Sequence, residues 1–324
     1  MRSALAGLVL ATAAAIAASG QGGEAAQLAQ ANAALQAGEA DKALSLLNPL
    51  VKAGGNAEAY NLRCRVELTL EQWDRAGADC EQAVKLDGQN SDDHMWLARA
   101  LGEKASRASF LSAYSLGKRV RAEFEEATRL NSANGAALAD LGEFYYEAPG
   151  VLGGGMDKAE AVAAQLDKFD AVRAHELRGR IAEQRKDYDT AEREFKAAIA
   201  KSPHPAFQWM ALAGFYHRRE RWEEMESSVR SGQSAAERDK RASEALFDGA
   251  NVLRSSNRDT PRAARMLEEY LASAIKSEDA PAFVVHTRLA QLKQQLGDSA
   301  AASQERAAAL ALAHEYKPAL DLKH

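Results

Sequence analysis

Residues 57–90 read AEAYNLRCRVELTLEQWDRAGADCEQAVKLDGQN, and this stretch decides the fold. It reads as one helix, a turn at Glu71-Gln72 and a second helix, within 34 residues. A helix pair of that size cannot bury its apolar face alone and must stack on a neighbour. A chain built from such pairs grows by repetition rather than around a single core.

Counting along this unit, positions 4, 8, 20, 24 and 27 hold Tyr60, Cys64, Ala76, Cys80 and Ala83. Positions 7, 11 and 32 hold Arg63, Glu67 and Gly88, and Leu62 falls one place before position 7. Residues 172–205 place Gly179, Ala191, Phe195, Ala198 and Pro203 at positions 8, 20, 24, 27 and 32. Residues 206–239 place Trp209, Leu212, Ala213 and Tyr216 at positions 4, 7, 8 and 11, and Trp222 opens the second helix. This pattern resembles the tetratricopeptide-repeat family, which sets an aromatic at 4, small residues at 8, 20 and 27 and a bulky apolar residue at 24. Small residues let paired backbones approach, and the larger ones fill the space between units.

Weaker copies flank these three. An amino-terminal unit spans residues 24–56, with Gly38 before its turn and Ala43 at position 20; later units span 244–277, with Phe247, Ala263 and Leu267, and 283–316, with Leu289, Ala290, Gly297, Asp298 and Ala302. Units at 91–134 and 135–171 carry insertions. The resemblance implies an all-α, right-handed α-solenoid of about seven to eight units covering residues 21–324. Composition agrees: the chain is rich in Ala, Leu, Glu, Lys, Arg and Gln, no stretch sustains strand alternation, and Pro203, Pro205, Pro261, Pro281 and Pro318 fall at expected helix boundaries.

Residues 1–20 read as a signal peptide. Arg2 precedes a small apolar run from Ala4 to Ala18, and Ala18-Ser19-Gly20 offers a cleavage site, so the mature chain is expected to begin at Gln21. The run is too short for a membrane span, and the expected location is periplasmic or secreted, the exported bacterial type of the family. Forty-one basic and 46 acidic residues give a net charge of −5. Clusters such as Lys118-Arg119 and Arg218-Arg219 are interleaved with acids, so no nucleic-acid groove is expected.

Cys64 and Cys80 face one seam between the two helices of their unit. A disulfide bridge and a pair of buried thiols both suit those positions. His94, His175 and His286 each take position 4 of a unit and read as stand-ins for the aromatic wedge. No catalytic, cofactor-binding or metal-ligating constellation is present: Gly153-Gly154-Gly155 lacks the lysine and preceding strand of a phosphate loop. The chain is read as a non-enzyme without a cofactor.

Function then rests on surfaces. By the resemblance, a concave groove is lined by first-helix positions 2, 5, 9, 12 and 13. These are Arg173, Glu176, Arg180, Glu183 and Gln184 in one unit, and Phe207, Met210, Gly214, His217 and Arg218 in the next. Glu143, Tyr146 and Glu147 belong to the unit at 135. The Lys and Asn set with which some relatives clamp a terminal carboxylate is absent. A second surface comes from the insertions, ten residues within EKASRASFLSAYSLGK and five within APGVLGGG. They enter the turns of adjacent units and should share one rim, where Phe110, Leu111, Tyr114 and Leu116 form an apolar stripe. The expected function is an adaptor of the cell envelope that binds a protein or peptide partner through groove or rim. The alternative is a constitutive structural subunit of an envelope assembly.

Overall fold

The computed structural model describes residues 23–54 and 56–322. The expected signal peptide therefore lies outside the described residues. Among the described residues there are seventeen α-helices and no strand. They run in antiparallel pairs: α1 (23–37) with α2 (Ala40–Lys52), α3 (Ala57–Thr69) with α4 (Trp73–Leu86), and α5 (Ser91–Ser106) with α6 (Phe110–Leu130). Next come α7 (Gly135–Glu147) with α8 (Met156–Leu166), α9 (Ala171–Gln184) with α10 (Tyr188–Lys201), and α11 (Ala206–Arg218) with α12 (Trp222–Arg238). The last pairs are α13 (Ala245–Ser255) with α14 (Thr260–Ala272) and α15 (Ala282–Gln295) with α16 (Ser299–Leu312), followed by the short α17 (Lys317–Leu320).

Local chemistry sets the boundaries. Asn56, Asn90, Asn134 and Asp170 cap successive first helices by accepting backbone N–H bonds with their side chains. The turn inside the pair puts one residue in the left-handed region, at Gly38, Glu71, Lys186, Glu220, Asn257 and Gly297. At Gly38 glycine is required twice, since a Cβ there would stand 2.1 Å from the Ala282 nitrogen.

The seams between paired helices are closed by fully buried small residues, among them Ala43, Ala76, Ala159, Ala191 and Ala263. Cys64 and Cys80 are joined by a disulfide across the seam of α3 and α4. Gly179 and Phe195 meet at the same two repeat positions in α9 and α10. His94, His175 and His286 each direct Nδ1 to a glutamate on the second helix of their own pair: Glu123 at 2.6 Å, Glu194 at 2.7 Å and Glu305 at 2.6 Å. The partners are 19 residues apart in two units and 29 in the unit of α5 and α6. The inserted ten residues thus lie between His94 and Glu123, where they lengthen both helices rather than forming a loop. The second insertion makes a single helical turn, Gly150–Leu152, whose Leu152 seats against Gly117 of α6.

The array bends until its ends meet. One apolar cluster links α3–α4 through α9, and a second runs from α9–α10 through α16 and on into α1, α2 and α3. Polar contacts seal the junction: His314 Nδ1 with Asp41 at 2.9 Å, Arg75 with Glu315 at 3.7 Å, and Arg65 with Glu278. The concave face therefore becomes the wall of a lumen.

Candidate functional site: the lumen

Two cavities, of 780 Å³ and 600 Å³, occupy the lumen. The larger lies toward the carboxy-terminal ends of α3, α5 and α7, lined by Leu68, Gly102, Glu143, Phe144 and Glu147. The smaller lies toward the amino-terminal ends of the same helices, lined by Glu58, Asn61, Asp93 and Ala136. Both are bounded by Arg65, Trp96, Arg99, Glu278 and Asp279, which form a waist between them.

The waist is built from three first helices and one connection. Arg65 of α3 grips Glu278 with two parallel bonds, Nε to Oε2 at 2.9 Å and Nη2 to Oε1 at 2.5 Å. Gln36 of α1 donates to Glu278 Oε1 at 3.0 Å and accepts the Glu278 backbone N–H at 3.3 Å. The Trp96 ring carries two guanidinium groups, Arg65 at 5.1 Å and Arg99 at 4.5 Å from its centroid. Arg99 in turn donates to Asp140 at 2.6 Å. Glu278 belongs to the segment joining α14 and α15, which Tyr270 shapes by accepting the Ser277 N–H and donating to the Ala280 carbonyl.

The lumen also holds carboxylates that stand outside any ion pair. Glu143 and Asp279 keep access to solvent yet are surrounded by protein, and this desolvation raises both pKa values; Glu147 and Glu278 respectively push the same way. Neither has a cation within ion-pair distance among the described residues. Burial lifts Asp248, beside Glu244 and Asp279, to about 7. Asp93 accepts a bond from Asn61 at 2.7 Å, its second oxygen is buried without a partner, and burial lifts it to about 6.

Of the residues expected on the groove, Glu147 lines the larger cavity and Arg173 the smaller. Tyr146 stands half-buried beside Glu143, its phenol pKa raised mainly by burial. Glu176 accepts a bond from Gln208 at 2.9 Å, Arg180 stacks on Phe195, Phe207 packs on the core, and His217 meets the edge of Trp222. Met210 corrects the expectation: it is 2 % exposed and fills a slot left by Gly232 and Gly249, so it is core and offers no anchor. On the rim Phe110 is 85 % exposed, while Tyr114 lies beneath the Lys118 ammonium. The sequence reading missed Arg65, Trp96 and Arg99, although Arg65 and Arg99 stand at the groove position 9 of their units. Glu278 and Asp279 fall between units and carry no repeat signal. Among the described residues no cluster of His, Cys, Asp and Glu could hold a metal ion, and no helix is long and apolar enough to cross a membrane.

No family model matches this chain, and no curated protein does. Solved structures do. A thermophilic TPR protein from Thermus thermophilus is similar at 20 % identity over 59 % of this chain and 98 % of its own, with a TM-score of 0.50. A tetratricopeptide repeat protein from Parabacteroides merdae aligns over 84 % of this chain and 98 % of its own at 15 % identity, TM-score 0.45. The carboxy-terminal part of a TPR repeat-containing protein from Cytophaga hutchinsonii covers 92 % of this chain and 100 % of its own at 16 % identity, TM-score 0.43. Helix pairing, seam residues and the first of these likenesses together give this chain the tetratricopeptide-repeat fold.

Proposed function

We propose that this chain is an exported, non-enzymatic adaptor of the bacterial envelope that holds an extended segment of a protein partner in its lumen. The supporting observation is the lumen wall: aromatic side chains at Trp96 and Phe144, buried charge and two cavities that share five lining residues, on a fold that works through concave surfaces. A photo-crosslinking residue placed at Phe144 in the native host is expected to capture the partner, to be identified by mass spectrometry. Capture from Leu111 alone would favour the second reading, a structural subunit docking through the rim, for which the exposure of Phe110 and Leu111 speaks. Export is tested by amino-terminal sequencing, expected to read from Gln21; an intact Met1 in the cytoplasmic fraction overturns it.

A further inference from the structure

We infer that Gln36, Arg65 and Trp96 form a receptor for a carboxylate side chain on another protein's extended segment, and that Glu278 of the chain's own connection fills this receptor when the ring is closed. The inference rests on the reading of the lumen as the working surface and adds the partner's chemistry. Three features distinguish the contact from a surface ion pair. The guanidinium fork is paired with both carboxylate oxygens and is stacked on Trp96, so its orientation is fixed before a ligand arrives. Gln36 reads the backbone N–H and the side chain of the same residue, as a groove reads an extended peptide. The occupant is a non-helical connection 213 residues from Arg65 and 242 from Gln36 in sequence.

The cis occupant fits imperfectly. It brings Asp279 beside Glu278, which disfavours the Asp279 charge, while the two nearby guanidinium groups are committed elsewhere, Arg65 to Glu278 and Arg99 to Asp140. A segment in trans with one acid, or with its second acid elsewhere, avoids that repulsion and can replace it. Displacement would remove the Arg65 and Gln36 bonds from the junction and leave its apolar packing with the Asp41 and Glu315 contacts, coupling partner capture to loosening of the ring.

The test uses the full chain and a blocked, fluorescent peptide copying residues 274–281, AIKSEDAP. Glu278→Gln, which weakens the internal competitor, is expected to bind this peptide at least about tenfold more tightly than the wild type. Adding Arg65→Ala to that variant should abolish binding, and a peptide with Gln in place of Glu should bind at least about tenfold more weakly. Circular dichroism checks that each variant folds. Should Glu278→Gln unfold, hydrogen exchange on the wild type replaces it, with the Glu278 amide expected to lose protection in excess peptide. Equal binding by wild type and Glu278→Gln, binding that survives Arg65→Ala, or an amide unmoved by peptide would each overturn the receptor. The lumen reading would still be decided separately, by the Phe144 crosslink.

Discussion

The seam between paired helices and the wall of the lumen are made by the same helices, and they follow opposite rules. At the seam, equivalent positions repeat: a fully buried alanine in unit after unit, and histidine with glutamate in three units, offset only by an insertion. On the wall, neighbouring units present Arg65, Trp96 with Arg99, and Asp140 with Glu143, and recurrence is confined to the arginine at position 9, Arg65 and Arg99, and the glutamate at position 13, Glu103 and Glu147. Repetition marks what every unit needs in order to stack. Its loss marks where the molecule has become individual.

The contrast breaks most visibly at the disulfide, the one covalent element of a seam. Replacing Cys64 and Cys80 by alanine is expected to cost about 3 kcal/mol in denaturant melts, the loop entropy of a bridge spanning 16 residues. Ala198→Leu, at a position with no exposure, should cost about 1–3 kcal/mol through overpacking. A neutral result there would mean that the seam is looser than its alanines indicate.

The wall answers to pH instead. Asp93 and Asp248 hold their protons more tightly when folded than their ordinary value of 3.8. Their contribution is therefore complete below 3.8 and is lost as pH rises through about 6 and about 7. Stability at pH 5.5 should exceed that at pH 8 by about 1–2 kcal/mol, and Asp248→Asn should remove most of the difference. A chemical melt that strengthens toward pH 8 would show these acids to be wetter than the lumen suggests. Lys186→Gly, which relieves a left-handed turn residue at φ 63°, is expected to raise stability by about 0.5–1 kcal/mol. Smallest of all, Glu143→Gln on the wall should move stability by no more than about 0.5 kcal/mol.

Legibility followed the same divide. Ala191, Phe195 and Ala198 could be placed from the sequence because packing between paired helices is local and recurs. The ten-residue excess could be counted for the same reason. Glu123, Glu194 and Glu305 were within reach too, since each takes position 23 of its unit once the ten-residue insertion is counted out, but a pair matters only once the helices are seen to face each other. Met210 was placed on the wrong surface because Gly232 and Gly249, on two other helices, open a slot that its own helix does not announce. The waist was out of reach. Arg65 and Glu278 meet only after small rotations between six successive pairs accumulate into a closed turn, and no local pattern encodes that sum.

Closure also constrains ancestry. An open stack can gain or lose a unit by duplication or deletion and remain a working stack, because each unit answers only to its neighbours. Here Gly38 must arrive against Ala282 with no room for a side chain, and Asp41 must find His314. One more helix pair, or one fewer, would carry those residues past each other. The number of repeats in this molecule is therefore fixed by closure, and any chain that closes the same lumen needs the same count.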